Sequence, residues 1–396
     1  MNRLLGWAAI AAVSILCACS SADPPSDPPA NVAVAPGDTS ALVTWTNEED
    51  NDYWVFYAEG TELTYENRAT QPGYRSQLVG EPPYLIVGLT NGKTYSVMVG
   101  KTQDGSAVGP TTTPVTVTPR LAGDTWAVGT PLPVASLNGV AFGNSIYVAV
   151  GTGGAIFTSS DGASWTARAS GTTNDLHGVL WVNNARFVAV GTNGTTIHST
   201  DAVTWEAAEQ VTTRDLYAVT DYGDAPVAVG AGGTILVSAS GGLGWTEYAS
   251  GTSANLYAVA TGNARIVAAG AAGTLIYADN PTSTWLPGAS GVATDLRGVR
   301  FGSNVFAVVG AGGTSLWSGD GANFGPAVTP ATADLRSVAF GSQFVAVGAS
   351  GAALTSLDGK VWSATSTGTA ETLNAVTFGL FRFSAVGTGG VNLMAR

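Results

Sequence analysis

The chain has 396 residues, of which only 11% are charged, and its net charge at pH 7 is −12. An acidic surface repels phosphate groups, so this charge disfavours a non-specific nucleic-acid partner. The only two cysteines, Cys17 and Cys19, stand close to the N-terminus, so the body of the protein cannot form an internal disulfide.

Residues 1–18 have the composition of a secretory signal peptide. Arg3 precedes an apolar core, Leu4 to Leu16, that is too short to span a bilayer. The following run, Leu16-Cys17-Ala18-Cys19, resembles the bacterial lipobox, and this resemblance implies that Cys19 becomes a lipidated N-terminus. Cleavage nearby by an ordinary signal peptidase is the alternative.

The segment that follows Cys19 reads SSADPPSDPPA and has almost nothing to bury. Residues 19–30 are therefore predicted to form the lipidated cysteine and a flexible tether. Ser20 rather than Asp follows the cysteine, which in lipoproteins resembles outer-membrane sorting. These features predict a lipid-anchored protein of the cell envelope, at the outer membrane or the cell surface.

Residues 31–120 contain six strand-like runs without a long repeat, which indicates a β-sandwich. The run Leu89-Thr90-Asn91-Gly92-Lys93-Thr94-Tyr95 resembles the corner of fibronectin type III domains. This resemblance implies a seven-stranded sandwich in which the Tyr95 hydroxyl bonds to the backbone. The acidic residues Glu48, Glu49, Asp50 and Asp52 are interpreted as a solvated turn, with a cation site as the alternative.

From residue 121 onward the sequence repeats with a period of about 40 residues. Each unit has an opening leucine, an apolar run such as FVAVG, a Gly-rich break, a third strand-like run and a closing aromatic residue. The leucines are Leu137, Leu176, Leu216, Leu256, Leu296, Leu335 and Leu373. Four short strands per unit predict a seven-bladed β-propeller over residues 121–396.

The closing aromatic residues are displaced by one unit from the leucines. They are Trp126, Trp165, Trp205, Trp245, Trp285, Phe324 and Trp362. Trp126 precedes the first leucine, and the unit that starts at Leu373 has no aromatic of its own. A strand near Trp126 is therefore predicted to complete the last sheet and to remove its open edge. The predicted fold is all-β, a fibronectin type III sandwich followed by a seven-bladed propeller closed by that strand.

The turn before Trp165 reads SSDGASW and resembles the Asp-box of bacterial neuraminidase repeats. The repeat as a whole resembles the photosystem II stability/assembly factor family, whose blades share the pattern FVAVG…DGxxW. The resemblance implies a propeller and, as one alternative, an assembly factor for an envelope complex. The Asp is expected to accept hydrogen bonds from backbone N–H groups, and the Gly to supply a positive φ. Because each turn offers one carboxylate, no metal site is predicted.

Few residues could support catalysis. His177 and His198 are the only histidines, and their positions match no metal-binding spacing. The Gly-rich breaks precede strands rather than helices, so they are interpreted as turns and not as phosphate loops. A sialidase is disfavoured because its FRIP-type motif is absent. A glycoside-active hydrolase is the alternative, although a column of equivalent acids lacks the two unlike carboxylates that acid–base chemistry needs. No catalytic residue and no cofactor are predicted.

Two polar columns flank the leucines. The column before them is nearly constant and is expected to cap the start of each strand; it consists of Ser136, Asp175, Asp215, Asn255, Asp295, Asp334 and Thr372. The column after them is polar but varied: Asn138, His177, Tyr217, Tyr257, Arg297, Arg336 and Asn374. These seven residues should encircle one mouth of the central channel, where varied polar and aromatic groups favour ligand binding. Ordinary solvated positions are the alternative.

The sequence thus favours a non-enzymatic envelope lipoprotein. In this interpretation the sandwich is a spacer, and the propeller binds a protein or a glycan through the varied column. The protein is expected to be a monomer that meets the membrane through its lipid anchor alone, without a nucleic-acid partner.

Overall fold

The computed structural model describes residues 23–104, 106–183 and 185–395. The predicted signal peptide and Cys19 therefore lie outside the described residues. The chain forms two compact units, of which the first takes in the described residues up to 35, 41–86 and 93–118. The second takes in residues 36–40, 87–92 and those from 119 onward. Nowhere in the described part is there a helix with the length and apolarity needed to cross a membrane.

Two sheets form the N-terminal part of the chain. The strands of one are ordered Ala33–Gly37, Ser40–Thr44 and Tyr84–Val87. The strands of the other are antiparallel and ordered Arg75–Val79, Asp52–Glu59, Tyr95–Thr102 and Val115–Val117. Tyr95, the predicted corner residue, begins a central strand and is 5% exposed.

A buried lysine organises the acidic turn of the first unit. Lys101 is 3% exposed, and its Nζ donates to Glu48 Oε2 at 2.7 Å and to Asp27 Oδ2 at 3.2 Å. Burial lowers the pKa of Lys101, but its hydrogen bonds to the two carboxylates outweigh this effect and raise the pKa above its ordinary value. Glu48 is thus paired with a lysine. Among the residues described, no group of three or more His, Cys, Asp or Glu side chains is placed to hold a metal ion.

Seven four-stranded antiparallel sheets follow, called sheets 1 to 7 below. In sheets 1 to 6 the four strands are consecutive in the chain. Their bounds are, for sheet 1, Leu137–Gly143, Ile146–Gly151, Ile156–Ser159 and Thr166–Arg168; sheet 2, Leu176–Val182, Arg186–Gly191, Thr196–Ser199 and Glu206–Ala207; sheet 3, Leu216–Tyr222, Ala225–Gly230, Ile235–Val237 and Thr246–Tyr248; sheet 4, Leu256–Gly262, Arg265–Gly270, Leu275–Ala278 and Leu286–Pro287; sheet 5, Leu296–Gly302, Val305–Gly310, Ser315–Ser318 and Gly325–Pro326; sheet 6, Leu335–Phe340, Phe344–Gly348, Ala352–Ser356 and Ser363–Ser366.

Sheet 7 combines two distant parts of the chain. Its strands are Leu373–Gly379, Arg382–Gly387, Asn392–Ala395 and Trp126–Val128. Leu393 pairs with Val128, Met394 with Ala127 and Ala395 with Trp126, so the predicted completion of the last sheet is confirmed. The first strands of successive sheets contact one another, and that of sheet 7 contacts that of sheet 1, so the sheets form a closed ring. The prediction of an all-β chain built of repeated four-stranded sheets is also confirmed.

The second strand of each sheet is buried on both faces. In sheet 1, Tyr147, Val148, Ala149 and Val150 are each 0% exposed, although successive side chains point to opposite faces. A strand that is covered on both sides reads as a continuous apolar run, which explains the recurring FVAVG. Each closing aromatic covers one of these faces; Trp205, for example, packs in a cluster that joins sheets 1 and 2.

Short 3-10 turns connect the second and third strands of sheets 1 to 6. They are Thr152–Gly154, Thr192–Gly194, Ala231–Gly233, Ala271–Gly273, Ala311–Gly313 and Ala349–Gly351; one further turn, Arg68–Thr70, lies in the first unit. Gly194 has φ of 64°, and a Cβ there would lie 1.9 Å from the Thr212 carbonyl oxygen. No other residue fits, so the Gly-rich breaks are structural turns as predicted.

The Asp-box turns also have the predicted structural role. Between the third and fourth strands of sheet 1, Asp161 Oδ1 accepts hydrogen bonds from the N–H groups of Ala163 and Ser164, both at 2.8 Å. Gly162 adopts a φ of 74°. Asp201 makes the equivalent bonds in sheet 2, and the donors there lower its pKa to about 2.

The pairing in sheet 7 predicts that a disulfide can join its third and fourth strands. Paired Cα atoms of antiparallel strands lie about 4.5–5.5 Å apart, within the range that a disulfide spans. In a chain whose native cysteines are serine, Ala127→Cys with Met394→Cys should form an intramolecular disulfide and raise Tm, because it closes a very long loop. Non-reducing electrophoresis and thermal melting measure both effects. Ala127→Cys with Thr246→Cys, on the fourth strand of sheet 3, is the control; equal cross-linking of both pairs contradicts the pairing.

Candidate functional site

The seven residues of the varied column occupy the same irregularity in all seven sheets. In sheet 2, Leu176 pairs with Gly191 and Gly178 pairs with Val190, so His177 is the extra residue of a β-bulge. The same register shift follows the opening leucine of every other sheet. A bulge re-aims one side chain out of the regular ladder. We call the seven extra residues the rim residues: Asn138, His177, Tyr217, Tyr257, Arg297, Arg336 and Asn374.

All seven rim residues line one cavity of about 200 Å³, the rim cavity. Each is half-buried, so each presents part of its side chain to the cavity. The structure therefore brings together the whole predicted set. His198, the other histidine, lies on the third strand of sheet 2, paired with Glu206, and does not line this cavity.

Four consecutive rim residues form an aromatic arc. The ring of His177 lies 5.7 Å from that of Tyr217, which lies 5.6 Å from that of Tyr257. The Arg297 guanidinium lies 5.6 Å from the Tyr257 ring centroid. Tilted ring contacts and a cation over a ring face are favourable geometries, so the arc is an aromatic surface whose side chains are in contact before any ligand binds.

The remaining rim residues form a hydrogen-bonded polar arc. Arg336 Nη1 donates to Asn374 Oδ1 at 3.0 Å, and Asn374 Nδ2 donates to Ser136 Oγ at 3.0 Å. Ser136 Oγ in turn donates to Asn138 Oδ1 at 2.9 Å, and Asn138 Nδ2 donates to the Leu176 carbonyl at 3.0 Å. This chain of bonds returns to sheet 2, next to His177.

The two arcs meet at a pair of arginines with unused donors. Arg297 Nη2 donates to Asp295 Oδ2 at 3.1 Å, and Arg336 is held by Asn374. The Nε atoms of both arginines are buried and have no hydrogen-bond partner. A buried donor without an acceptor is unfavourable, but protein atoms cover both Nε atoms, so a ligand that offers carbonyl or carboxylate oxygens would meet the other N–H groups of the two guanidiniums.

Two titratable rim residues, His177 and Tyr217, are neutral near pH 7. Burial lowers the pKa of His177, and the charges of Asp175 and Asp215 only partly oppose this effect. Burial also raises the pKa of Tyr217, so its phenol keeps its proton. These two side chains can therefore contact a ligand and exchange hydrogen bonds without a charge, and the charge of the aromatic arc comes from Arg297.

The nearly constant column before the leucines has a structural role, as expected. Its hydrogen bonds, however, join one sheet to the next. Asp215, which precedes sheet 3, accepts at Oδ1 from the N–H of Asn193 in the 3-10 turn of sheet 2, at 2.9 Å. Asp175, Asn255, Asp295 and Asp334 make the equivalent bond to the turn of the preceding sheet. These groups join adjacent sheets, which the sequence did not indicate.

The bond from Asn193 to Asp215 predicts a contrast between two substitutions. Asp215→Asn keeps an acceptor oxygen, as Asn255 does in sheet 4, and should leave stability nearly unchanged. Asp215→Ala removes the acceptor and should lower the free energy of unfolding by about 1 kcal/mol. Urea denaturation measures both variants. Equal destabilisation by both would show that the charge of Asp215, rather than this hydrogen bond, is what stabilises the ring.

A ring of seven valines lies next to the rim residues along the first strands. These valines line the rim cavity: Val140, Val179, Val219, Val259, Val299, Val338 and Val376. Six of them also line a second cavity of about 320 Å³, called here the inner cavity. Its wall contains Arg300, which sequence reasoning did not assign to a site. The signal was present, because Arg300 is the one charged residue at the fourth position after the opening leucines.

Comparison with known proteins shows the fold. No protein-family model and no curated protein matches the chain. Among solved structures, the chain is similar to YCF48 bound to D1 peptide, with a TM-score of 0.56 and 16% identity over 68% of this chain and 94% of that one. It is also similar to YCF48 from Cyanidioschyzon merolae, with a TM-score of 0.56 and 19% identity over 68% of this chain and 98% of that one. The expected resemblance to the photosystem II stability/assembly factor repeat is thereby confirmed at the level of the propeller fold.

Proposed function

We propose that this protein is a non-enzymatic lipoprotein of the cell envelope that binds a segment of another protein at its rim residues. In this proposal residues 121–396 form a seven-bladed propeller, and residues 31–120 form a fibronectin type III-like spacer. The closed ring of seven sheets supports the first assignment. The sheets of three and four strands in the N-terminal part support the second.

The observation that carries the proposal is the bulge that recurs in every sheet. It places seven side chains of four chemical kinds around one cavity, while the flanking leucines and valines stay the same. The site has aromatic rings on one side and hydrogen-bond donors on the other. It therefore suits a ligand that offers both a group that packs on aromatic rings and hydrogen-bond acceptors. A small set of convergent polar groups in a concave site also fixes a ligand's orientation.

A peptide segment fits this description. Its side chains can stack on the aromatic arc, and its carbonyl or carboxylate oxygens can accept from the guanidinium N–H groups that Arg297 and Arg336 present to the rim cavity. YCF48, which has a similar fold, is bound to D1 peptide in a solved structure. A glycan would also stack on Tyr217 and Tyr257, but neutral hydroxyls are weaker acceptors for a guanidinium than carboxylate oxygens are.

Two alternatives remain distinct from this proposal. The first alternative is an assembly factor for an envelope complex, which the similarity to YCF48 favours. It differs from the proposal only in that the bound protein is then incorporated into a complex. A glycoside hydrolase needs two carboxylates in unlike environments. The aspartates near the rim cavity instead accept the same type of backbone hydrogen bond in sheet after sheet, which supports a structural role.

Substitution in the aromatic arc should weaken partner binding without unfolding the protein. We expect Tyr217→Ala, Tyr257→Ala and Arg297→Ala each to raise the Kd of a captured partner at least about fivefold, about 1 kcal/mol, because Tyr and Arg dominate binding hot spots. Partners isolated from envelope extracts with the wild-type protein are identified by mass spectrometry and then titrated against each variant. Tm should change little because the side chains are only half-buried.

Tyr277→Ala is a matched control for Tyr257→Ala. Tyr277 lies on the third strand of the same sheet, is also half-buried, and contacts an arginine, Arg265, at 4.6 Å from its ring centroid. It does not line the rim cavity. If Tyr277→Ala weakens the partner as much as Tyr257→Ala does, or if the rim variants bind normally, the rim residues are not the binding site.

The lipid anchor makes a separate prediction. Its basis is the lipobox-like run before Cys19, which lies outside the described residues. Wild-type protein should partition into detergent, whereas Cys19→Ala should be released as a soluble species. More than one acyl chain is expected, since a single chain anchors a protein only marginally. Phase partitioning and N-terminal mass spectrometry measure this; an unmodified N-terminus beyond Cys19 contradicts it.

A further inference from the structure

The inner cavity contains one charged side chain in an otherwise uncharged wall. The residues that line it include six of the ring valines, the small residues Ala141 and Ala339, and the rings of Phe142, Trp181, Phe340 and Phe378. Thr220 and Thr377 contribute two hydroxyl groups. Arg300 is the only ionisable residue that lines this cavity in the described part of the chain.

The guanidinium of Arg300 has no partner among the residues that the structure describes. No hydrogen bond, ion pair or ring contact joins its side chain to another described residue. Its side chain is exposed, and because Arg300 lines the inner cavity, this surface faces the cavity. The surrounding protein atoms nevertheless desolvate the group and lower the pKa of Arg300, although a guanidinium remains charged at neutral pH.

The fold does not require an arginine at this position. Position four after the opening leucine is filled by Ala141, Leu180, Thr220, Ala260, Ala339 and Thr377 in the other six sheets. Alanine or threonine therefore suffices to complete the same strand in the same ring. Arg300 is exposed to the cavity, so water solvates its guanidinium in the free protein, and a carboxylate that entered the cavity would replace this water with charge-assisted hydrogen bonds.

We propose that the inner cavity binds a small organic monocarboxylate, with Arg300 as its charged contact. A carboxylate presents two oxygens to two parallel guanidinium N–H groups, and its single charge matches the single cation. The hydroxyls of Thr220 and Thr377 are further donors, and the valines and aromatic rings suit an apolar body. The volume of about 320 Å³ lies at the small end of small-molecule sites. This site is independent of the proposed protein partner at the rim.

The test measures binding of acetate, butyrate and benzoate to the full-length protein by calorimetry and by the rise in Tm. At least one of them should bind saturably, and neither the matching neutral amide nor sulfate should bind comparably. Arg300→Ala should weaken the carboxylate at least about tenfold, since a charge-assisted hydrogen-bond pair is lost. The Tm of this variant without ligand should not fall, which shows that the loss is not unfolding. Arg300→Thr introduces the residue that sheets 3 and 7 have at this position, and it should weaken carboxylate binding as Arg300→Ala does.

Arg297→Ala and Arg336→Ala separate this site from the rim. Both should leave carboxylate binding unchanged, and Arg300→Ala should leave capture of a rim partner unchanged. The proposal is overturned if none of the three carboxylates binds, or if amides bind as well as acids. It is equally overturned if sulfate or chloride binds as tightly, or if the rim arginines, rather than Arg300, determine the affinity.

Discussion

The structure depends on the need to cover both faces of every sheet. The second strands are apolar on both sides, as shown by the complete burial of Phe187, Val188, Ala189 and Val190. A single sheet of this kind would leave both faces in water, and an open row of sheets would leave one face in water at each end. Closing the ring is the only arrangement of these sheets that buries every face. The pairing of Trp126–Val128 with Asn392–Ala395 serves the same requirement, because it gives sheet 7 the fourth strand that the other sheets have and brings Trp126 against the apolar cluster of sheets 6 and 7.

Close packing of the ring depends on small residues at the joints. A Cβ on Gly143 would lie 2.0 Å from Trp181 of the next sheet, and one on Gly302 would lie 2.2 Å from Phe340. Each aromatic ring thus occupies the space that a glycine leaves on its neighbour. The hydrogen bonds from the 3-10 turns to the aspartates join the sheets on the side of the rim. Apolar interlocks and polar bonds together fix each sheet against the next.

The repeat made most of the fold predictable from the sequence. The spacing of the leucines predicted the repeated sheets, and the displaced Trp126 predicted the strand that completes sheet 7. The column after the leucines identified all seven rim residues, because their variety contrasts with the constant positions around them. The β-bulge could not be seen, since it is a property of pairing between strands and not of one residue type. The contacts of Asp215 were missed for the same reason: its acceptor function depends on a turn in the preceding sheet. Arg300 was considered only as one of the arginines that a sialidase would need, because a single departure in one column is informative only after the columns are known to surround a cavity.

The bulge also has a consequence for how such a protein can change. Because the extra residue makes no pairing of its own in the ladder, asparagine, histidine, tyrosine and arginine all stand there over the same leucine and the same valine. Substitution at this position alters the chemistry that lines the rim cavity and leaves the register of the sheet intact. The residues that determine the chemistry of the cavity and those that specify the fold thereby occupy separate positions of each repeat. Such a scaffold can change the chemistry of its cavity by successive single substitutions, one sheet at a time. Each intermediate sequence along this path still folds.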